Sequence, residues 1–247
     1  MNKIKRERNP CIYITGDKHR DFKSVFKFCK KNKTTQKDIL IVLGDAGFNY
    51  YGGHKDERLK KKISKLNITL FCIQGNKEKR PQNIPTYKMK EFMRGLVFYE
   101  EKYPNIIFAK DCGVYNFNGS KAIVIGGAQS SDKMSCIKTG APWWCNEEPD
   151  EGIKKEFEQL LRKNNYKVDY IFSHTVPFKF EPAEMFITNM AGGNGSKLTK
   201  HTERWLDSIE DITSYKKWYC GHYHTDKLIA GVRIMNRDIE RLNTQRR

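Results

Sequence analysis

Short apolar runs alternate with longer amphipathic segments along the chain. CIYIT (11–15), DILIVL (38–43), ITLFCIQ (68–74), KAIVIGGA (121–128), VDYIF (168–172) and KWYC (217–220) are dense in β-branched and aromatic residues. Runs this short, bounded by glycine and polar residues, predict buried strands. Helical period fills the intervals. In DFKSVFKFCKKN (21–32), Phe22, Val25, Phe26 and Cys29 recur at i, i+3, i+4 and i+7. DERLKKKISKL (56–66), PDEGIKKEFEQLLRKN (149–164) and SKLTKHTERWLDSIED (196–211) predict three more helices. In the 149–164 segment Pro149 and acidic residues open the helix and Arg162 and Lys163 close it, as the macrodipole favours. GVYNFNGSKAIVIGG predicts a hairpin turning at Asn118-Gly119. FMRGLVFYEE (92–101) puts Arg94 in a turn before Gly95, and RDIERLNTQRR (237–247) reads as a short helix or frayed tail.

Strands alternating with helices, then a hairpin-rich middle, predict an α/β (α+β) fold with mixed sheets and helices packed outside. No repeat, low-complexity linker or boundary divides the chain, so one domain over 1–247 is expected. No apolar run approaches the ~20 residues of a membrane span. MNKIKRERNP leads into a strand-like run rather than an apolar signal core. The seven cysteines include no CxxC pair, and Cys11, Cys72 and Cys220 sit in apolar runs. That argues for buried free thiols in a reducing, cytoplasmic setting. The net charge of +17 changes the picture more. It favours a phosphate-bearing partner, nucleic acid first, over a cationic one. The plainer alternative is that KFCKKNK and RLKKKISK are solvated helix faces.

Candidate chemistry gathers where the strands end. CIYIT is followed by Gly16-Asp17-Lys18-His19, DILIVL by Gly44-Asp45, and ITLFCIQ by Gly75-Asn76. VDYIF is followed by Ser173-His174, and KWYC by Gly221-His222-Tyr223-His224. Ligands collect at the carboxyl ends of strands in open α/β sheets. Taken singly, Asp17, Asp45 and Asn76 could be turn formers and His174 a satisfied core histidine. Taken together, Asp17, His19, Asp45, Asn76, His174, His222 and His224 are imidazole, carboxylate and amide groups that suit Mn, Fe, Zn or Co. They are too many for one tetrahedral site and suit two ions ~3.5–4 Å apart, bridged by a carboxylate.

The ordered motifs GDKH, GD, GNKE, SH and GHYH, spanning 16–224, resemble those of the calcineurin-like metallophosphoesterase family, in particular its small bacterial and phage-type members. The resemblance implies a four-layer β-sandwich of two mixed sheets flanked by helices, and a dinuclear centre of two divalent ions, Mn²⁺ first, with Fe, Ni or Zn as alternatives. It implies that Asp17, His19 and His224 hold the first ion, that Asn76, His174 and His222 hold the second, and that Asp45 bridges. It implies catalysis through Asp45, Asn76 and the residue at 77, with a metal-bridging hydroxide as nucleophile and no nucleophile from the protein. The chain does not resemble the protein serine/threonine phosphatases: GDAGFNYYGG lacks the arginine that follows their second motif.

The third motif departs from the family pattern, with Lys77 where a histidine is usual. A lysine could stabilise a developing oxyanion, but with an ordinary pKa near ~10.4 it is a poor proton donor at pH 7. It could equally turn to solvent. Some relatives in the family that the chain resembles lack this histidine and remain active, mainly as phosphodiesterases. Three readings follow: a phosphodiesterase acting on a nucleotide or nucleic acid, a phosphomonoesterase acting on a metabolite or RNA end, and a metal-stabilised binding module of weak activity. Lys77, Lys79 and Arg80 are candidate phosphate contacts. Phe48, Tyr50, Trp143, Trp144 and Tyr223 are candidate base-stacking groups. For the two tryptophans the alternative is one buried and one partly exposed. His54 and His201 read as surface residues.

Overall fold

The computed structural model describes residues 9–182 and 199–244. In chain order the strands are β1 (Ile12–Thr15), β2 (Ile39–Val42), β3 (Thr69–Cys72), β4 (Lys88–Phe92), β5 (Gly95–Tyr99), β6 (Ile106–Ala109) and β7 (Val114–Phe117). They continue with β8 (Ser120–Ile125), β9 (Tyr170–Ser173), β10 (Lys217–Cys220), β11 (Lys227–Ile229), β12 (Val232–Ile234) and β13 (Ile239–Arg241). The helices are α1 (Lys23–Asn32), α2 (Glu57–Ile63), α3 (Lys133–Thr139), α4 (Glu151–Lys163) and α5 (His201–Ile212).

The strands form two mixed sheets. One runs β13-β1-β2-β3-β6-β5-β4, with β1, β2, β3 and β6 parallel. The other runs β11-β12-β10-β9-β8-β7, with β12, β10, β9 and β8 parallel. Side-chain alternation explains the layers. On β2 and β3, Ile39, Ile41 and Phe71 face the core shared by the sheets, while Leu40, Val42, Leu70 and Cys72 face a second core under α1 and α2. On the other sheet Ala122, Val124, Phe172 and Tyr219 point inward, while Ile123, Ile171, Trp218 and Cys220 pack beneath α4 and α5. Both faces are buried, so these strands read as continuous apolar runs. Helix, sheet, sheet, helix are the four layers.

Several predicted elements form where expected. Asn118 and Gly119, both at positive φ, turn the β7–β8 hairpin in Phe117↔Ser120 register. Met93 and Arg94 turn the chain between β4 and β5. Two expectations need correcting. The 237–247 segment is no helix where described: Ile239–Arg241 forms β13, antiparallel to β1, and Leu242 beyond it is buried in the inter-sheet core. The β4–β5 hairpin was not predicted as strands. Its first strand, KMKEF, is a polar edge strand with little burial. Of the 196–211 helix, only the portion from His201 lies within the described residues, and 1–8 and 245–247 lie outside them. His54 and His201 are exposed. Among the described residues no helix is long and apolar enough to cross a membrane.

Parallel strands end together, and that places the site. The carboxyl ends of β1, β2 and β3 meet those of β9 and β10 at one edge of the sandwich. Gly221 N–H donates to the His174 carbonyl (2.9 Å), His222 N–H donates to Asp17 Oδ1 (2.9 Å) and His174 Nδ1 donates to the Leu43 carbonyl (2.8 Å).

Candidate metal centre

Two glycines make the crowding possible. A Cβ at Gly75 would lie 1.9 Å from Asp45 Oδ1. Gly44, at φ +97°, leaves room for the His174 ring, whose Nδ1 would be 2.0 Å from a Cβ there. The groups themselves are held under strain: His19, Asp45, His222 and His224 all have positive φ, which non-glycine residues adopt mostly where surrounding structure compels it.

Two clusters of lone pairs result. In the first, His19 Nε2 and His224 Nε2 are 2.8 Å apart, and Asp17 Oδ2 lies 3.5 and 3.4 Å from them. In the second, Asn76 Oδ1 is 2.7 Å from His174 Nε2 and 3.2 Å from His222 Nδ1. Between the clusters stands Asp45, its Oδ2 3.9 Å from His19 Nε2 and 3.8 Å from His174 Nε2. Asp17, His19 and His224 form one group able to hold a metal ion, and Asp17, Asp45 and His174 form another. The second cluster is buried, with His174 at 0% and Asn76 at 2% exposure, while His19 and His224 open to solvent.

The donor set fits a divalent cation. Asp17 Oδ2 is buried without a hydrogen-bond partner. His174 Nδ1 donates to the Leu43 carbonyl, which aims Nε2 at the Asn76 oxygen 2.7 Å away. Burial, then the neighbouring His174, push His222 well below the usual imidazole range, which keeps it a neutral donor. Burial works to raise Asp17, but the facing imidazoles of His19 and His224 outweigh it and hold the carboxyl well below its ordinary range. Burial lifts Asp45, with the Asp17 charge adding to the effect. A pair of buried carboxylates facing four imidazoles is the mixture that manganese, iron or zinc accept.

The proposed substrate contacts are placed less uniformly. Lys77 neither faces solvent freely nor projects alone: its ammonium pairs with Asp132, and its backbone N–H donates to Asp45 Oδ1 (2.8 Å). Lys79 sets its ammonium 5.3 Å from the centre of the Trp144 ring. Arg80 is a correction. It is buried, pairs with Asp111 and donates from Nε to the Asn146 carbonyl (2.7 Å), so its charge is spent on structure. Tyr223 is a second correction, being buried with its hydroxyl donating to Glu181 (2.7 Å). Phe48 is a third, fully buried against Phe22. Trp143 and Trp144 are both half-buried, not one in and one out, with Lys133 4.4 Å from the Trp143 ring centre.

Four neighbours escaped sequence reasoning. Ser130 Oγ accepts from Asn76 Nδ2 (2.7 Å), the Leu43 carbonyl orients His174, and Asp132 holds Lys77. Glu78 accepts from Gly47 N–H (3.1 Å), and burial followed by the Asp45 charge push it up to about 8. Only Glu78 carried a signal, as the acid closing GNKE. Ser130 and Asp132 lie in a loop whose polarity carries no periodicity.

Solved structures bear on this fold. The chain is similar in fold to TT1561 of Thermus thermophilus. That likeness has a TM-score of 0.51 at 12% identity and covers 96% of this chain and 99% of that one. A novel archaeal phosphodiesterase also matches, at TM-score 0.36 and 11% identity over 92% of this chain and 82% of that one. The first likeness speaks to the fold alone, and the second carries no argument. No family model and no curated protein sequence matches the chain.

Proposed function

We propose that the chain is a metal-dependent phosphoesterase of the calcineurin-like metallophosphoesterase family, cutting a phosphodiester in a nucleotide or nucleic acid. The observation that carries this reading is the pair of lone-pair clusters flanking Asp45. Asp17, His19 and His224 would hold one divalent ion, Asn76, His174 and His222 the other, and Asp45 both, with Mn²⁺ the first ion to test. When bound, such ions supply an acidified water and positive charge against phosphoryl oxygens.

The chain's own residues shape what remains. Asp17 and Asp45 bring negative charge that only cations offset, so the metal-free centre repels an anion and the loaded one attracts it. The Lys77 amide N–H orients Asp45, while the Lys77 ammonium is paired with Asp132, which offsets its charge. The preference for a diester is supported by what the arginines do. Arg20 is taken up by Asp56 (2.6 Å) and the Gly47 carbonyl (2.9 Å), and Arg80 by Asp111. Neither is left to grip the extra charge of a monoester.

The test is Mn²⁺-dependent hydrolysis of bis(p-nitrophenyl) phosphate beside p-nitrophenyl phosphate, with Asp45→Asn as control. Diester turnover well above monoester turnover, lowered at least 100-fold by Asp45→Asn, is expected. Monoester preference would redirect the reading to metabolites or RNA ends. Two ions bound with neither ester cut would leave a binding module.

A further inference from the structure

The 128–148 loop is wired to the buried half of the metal centre through three successive hydrogen bonds. Asn76 Nδ2–H donates to Ser130 Oγ at 2.7 Å. Ser130 backbone N–H donates to Glu147 Oε1 at 3.2 Å, and the Trp143 indole N–H donates to Glu147 Oε2 at 2.8 Å. Asn76, Ser130 and Glu147 are 2%, 1% and 5% exposed, so breaking a link leaves a buried polar group short of a partner. Nearby contacts hold the loop in place. Ala128 N–H donates to the Glu147 carbonyl (3.1 Å), and Arg80 Nε donates to the Asn146 carbonyl (2.7 Å).

An amide is nearly symmetric in shape and opposite in chemistry at its two ends. As it stands, the Asn76 oxygen faces His174 Nε2 and His222 Nδ1, and the nitrogen faces away. Rotated by half a turn, Nδ2–H would donate to an imidazole lone pair, and the oxygen would leave the centre. Ser130 Oγ can accept from Nδ2–H or donate to the oxygen, so it fixes where the amide stands, while cations in the centre would favour the oxygen-inward orientation. The carboxylate of Glu147 in turn fixes where Ser130 stands.

We propose that Ser130 and Glu147 are positioning residues that hold the Asn76 amide at the centre, and that Trp143 completes this support from the outer loop. The inference rests on the metal-centre reading above. It assigns the 128–148 segment a part in metal affinity.

The experiment is Mn²⁺ titration by calorimetry of the full chain and of two Ser130 variants. Ser130→Ala is expected to weaken one of two Mn²⁺ sites about 10- to 100-fold, the usual effect of removing a ligand's hydrogen-bond partner. Ser130→Cys keeps the volume but hydrogen-bonds only weakly, so it should lose nearly as much. Affinity lost with alanine but kept with cysteine would mean that Ser130 acts by packing, and no loss in either would remove its role; both overturn the proposal. Trp143→Phe keeps the ring, removes the indole N–H and leaves the core untouched, so it serves if Ser130→Ala does not fold. A several-fold weakening by a side chain that touches no ligand supports the chain of contacts, and unchanged affinity overturns it. Wild-type protein that binds no Mn²⁺ would overturn the metal reading itself, whereas two wild-type sites indifferent to these changes would overturn only the inference.

Discussion

Glu78 is a buried acid one residue beyond Lys77, receiving the Gly47 N–H and facing the charge of Asp45. Burial and that charge push it up to about 8, against ~4.3 for an unfolded glutamate. The direction of its effect on stability follows from linkage. Below ~4.3 the group is protonated in both states and costs nothing. As pH rises toward 8 the unfolded chain releases this proton and the folded chain keeps it, so stability falls across that window. Between pH 5 and pH 8 the Tm of metal-free Glu78→Gln should therefore gain several degrees relative to wild type. Parallel Tm profiles for the two proteins would dispose of the account. Added Mn²⁺ should flatten the wild-type profile, since cations beside Asp45 favour the ionised acid.

Elements differ in how plainly their sequences announce them, and the reason is burial. β2 and β3 are covered on both faces, so every position is apolar and the run is unmistakable. The candidate ligands were legible for a related reason: each follows a buried strand and a small residue, a spacing forced by the crowding at Gly44 and Gly75. β4 and β13 are short edge strands with exposed, charged positions, and the pairing of β13 is set by a partner far along the chain. Ser130, Asp132 and Glu147 were illegible because their roles depend on which loop lies against which, and local pattern carries none of that. The buried fates of Arg80 and Tyr223 have the same origin, since Asp111 and Glu181 meet them from distant segments.

Two tests belong at this scale. Asp150 caps α4 by accepting from Ile153 N–H at 2.8 Å, so Asp150→Ala should cost about 1 kcal/mol in chemical denaturation, with little effect on diester turnover. An unchanged denaturation midpoint would remove the cap from the account. Leu242 follows β13 and is 2% exposed between the sheets, so Leu242→Ala should cost about 2–5 kcal/mol. A loss below about 0.5 kcal/mol, typical of a surface site, would mean that the 239–242 segment is not packed as described.

At the scale of the molecule the question is what an excess of +17 is for. The metal edge alone does not account for it, because its own side chains carry carboxylates. Much of the charge lies on the layer formed by α1 and α2, which pack beside each other over the outer core of the first sheet, with Lys62 5.7 Å from the Phe26 ring centre. Their buried stripes, Val25 and Cys29 on α1 and Ile63 on α2, leave Lys27, Lys30, Lys31, Arg58, Lys61 and Lys62 exposed. Each of these helices begins after a metal-edge loop and runs back toward the opposite end of the sheet, so a polyanion lying along them would have one end at the centre. A protein that neutralises several phosphates releases their counterions, and its affinity falls as a power of salt concentration. Binding of a labelled oligonucleotide, measured with Ca²⁺ in place of Mn²⁺ to limit turnover, should therefore weaken at least tenfold between 50 and 200 mM salt. Reversing charge at Lys27, Lys30 and Lys61 together should reduce the slope of that dependence. Hydrolysis of bis(p-nitrophenyl) phosphate should respond to neither change by more than about twofold, because one small ester reaches the centre without the helices. A salt-independent oligonucleotide affinity, or an equal loss of small-ester turnover in the charge-reversed protein, would mean that the basic layer is only a solvated surface and that the substrate is small.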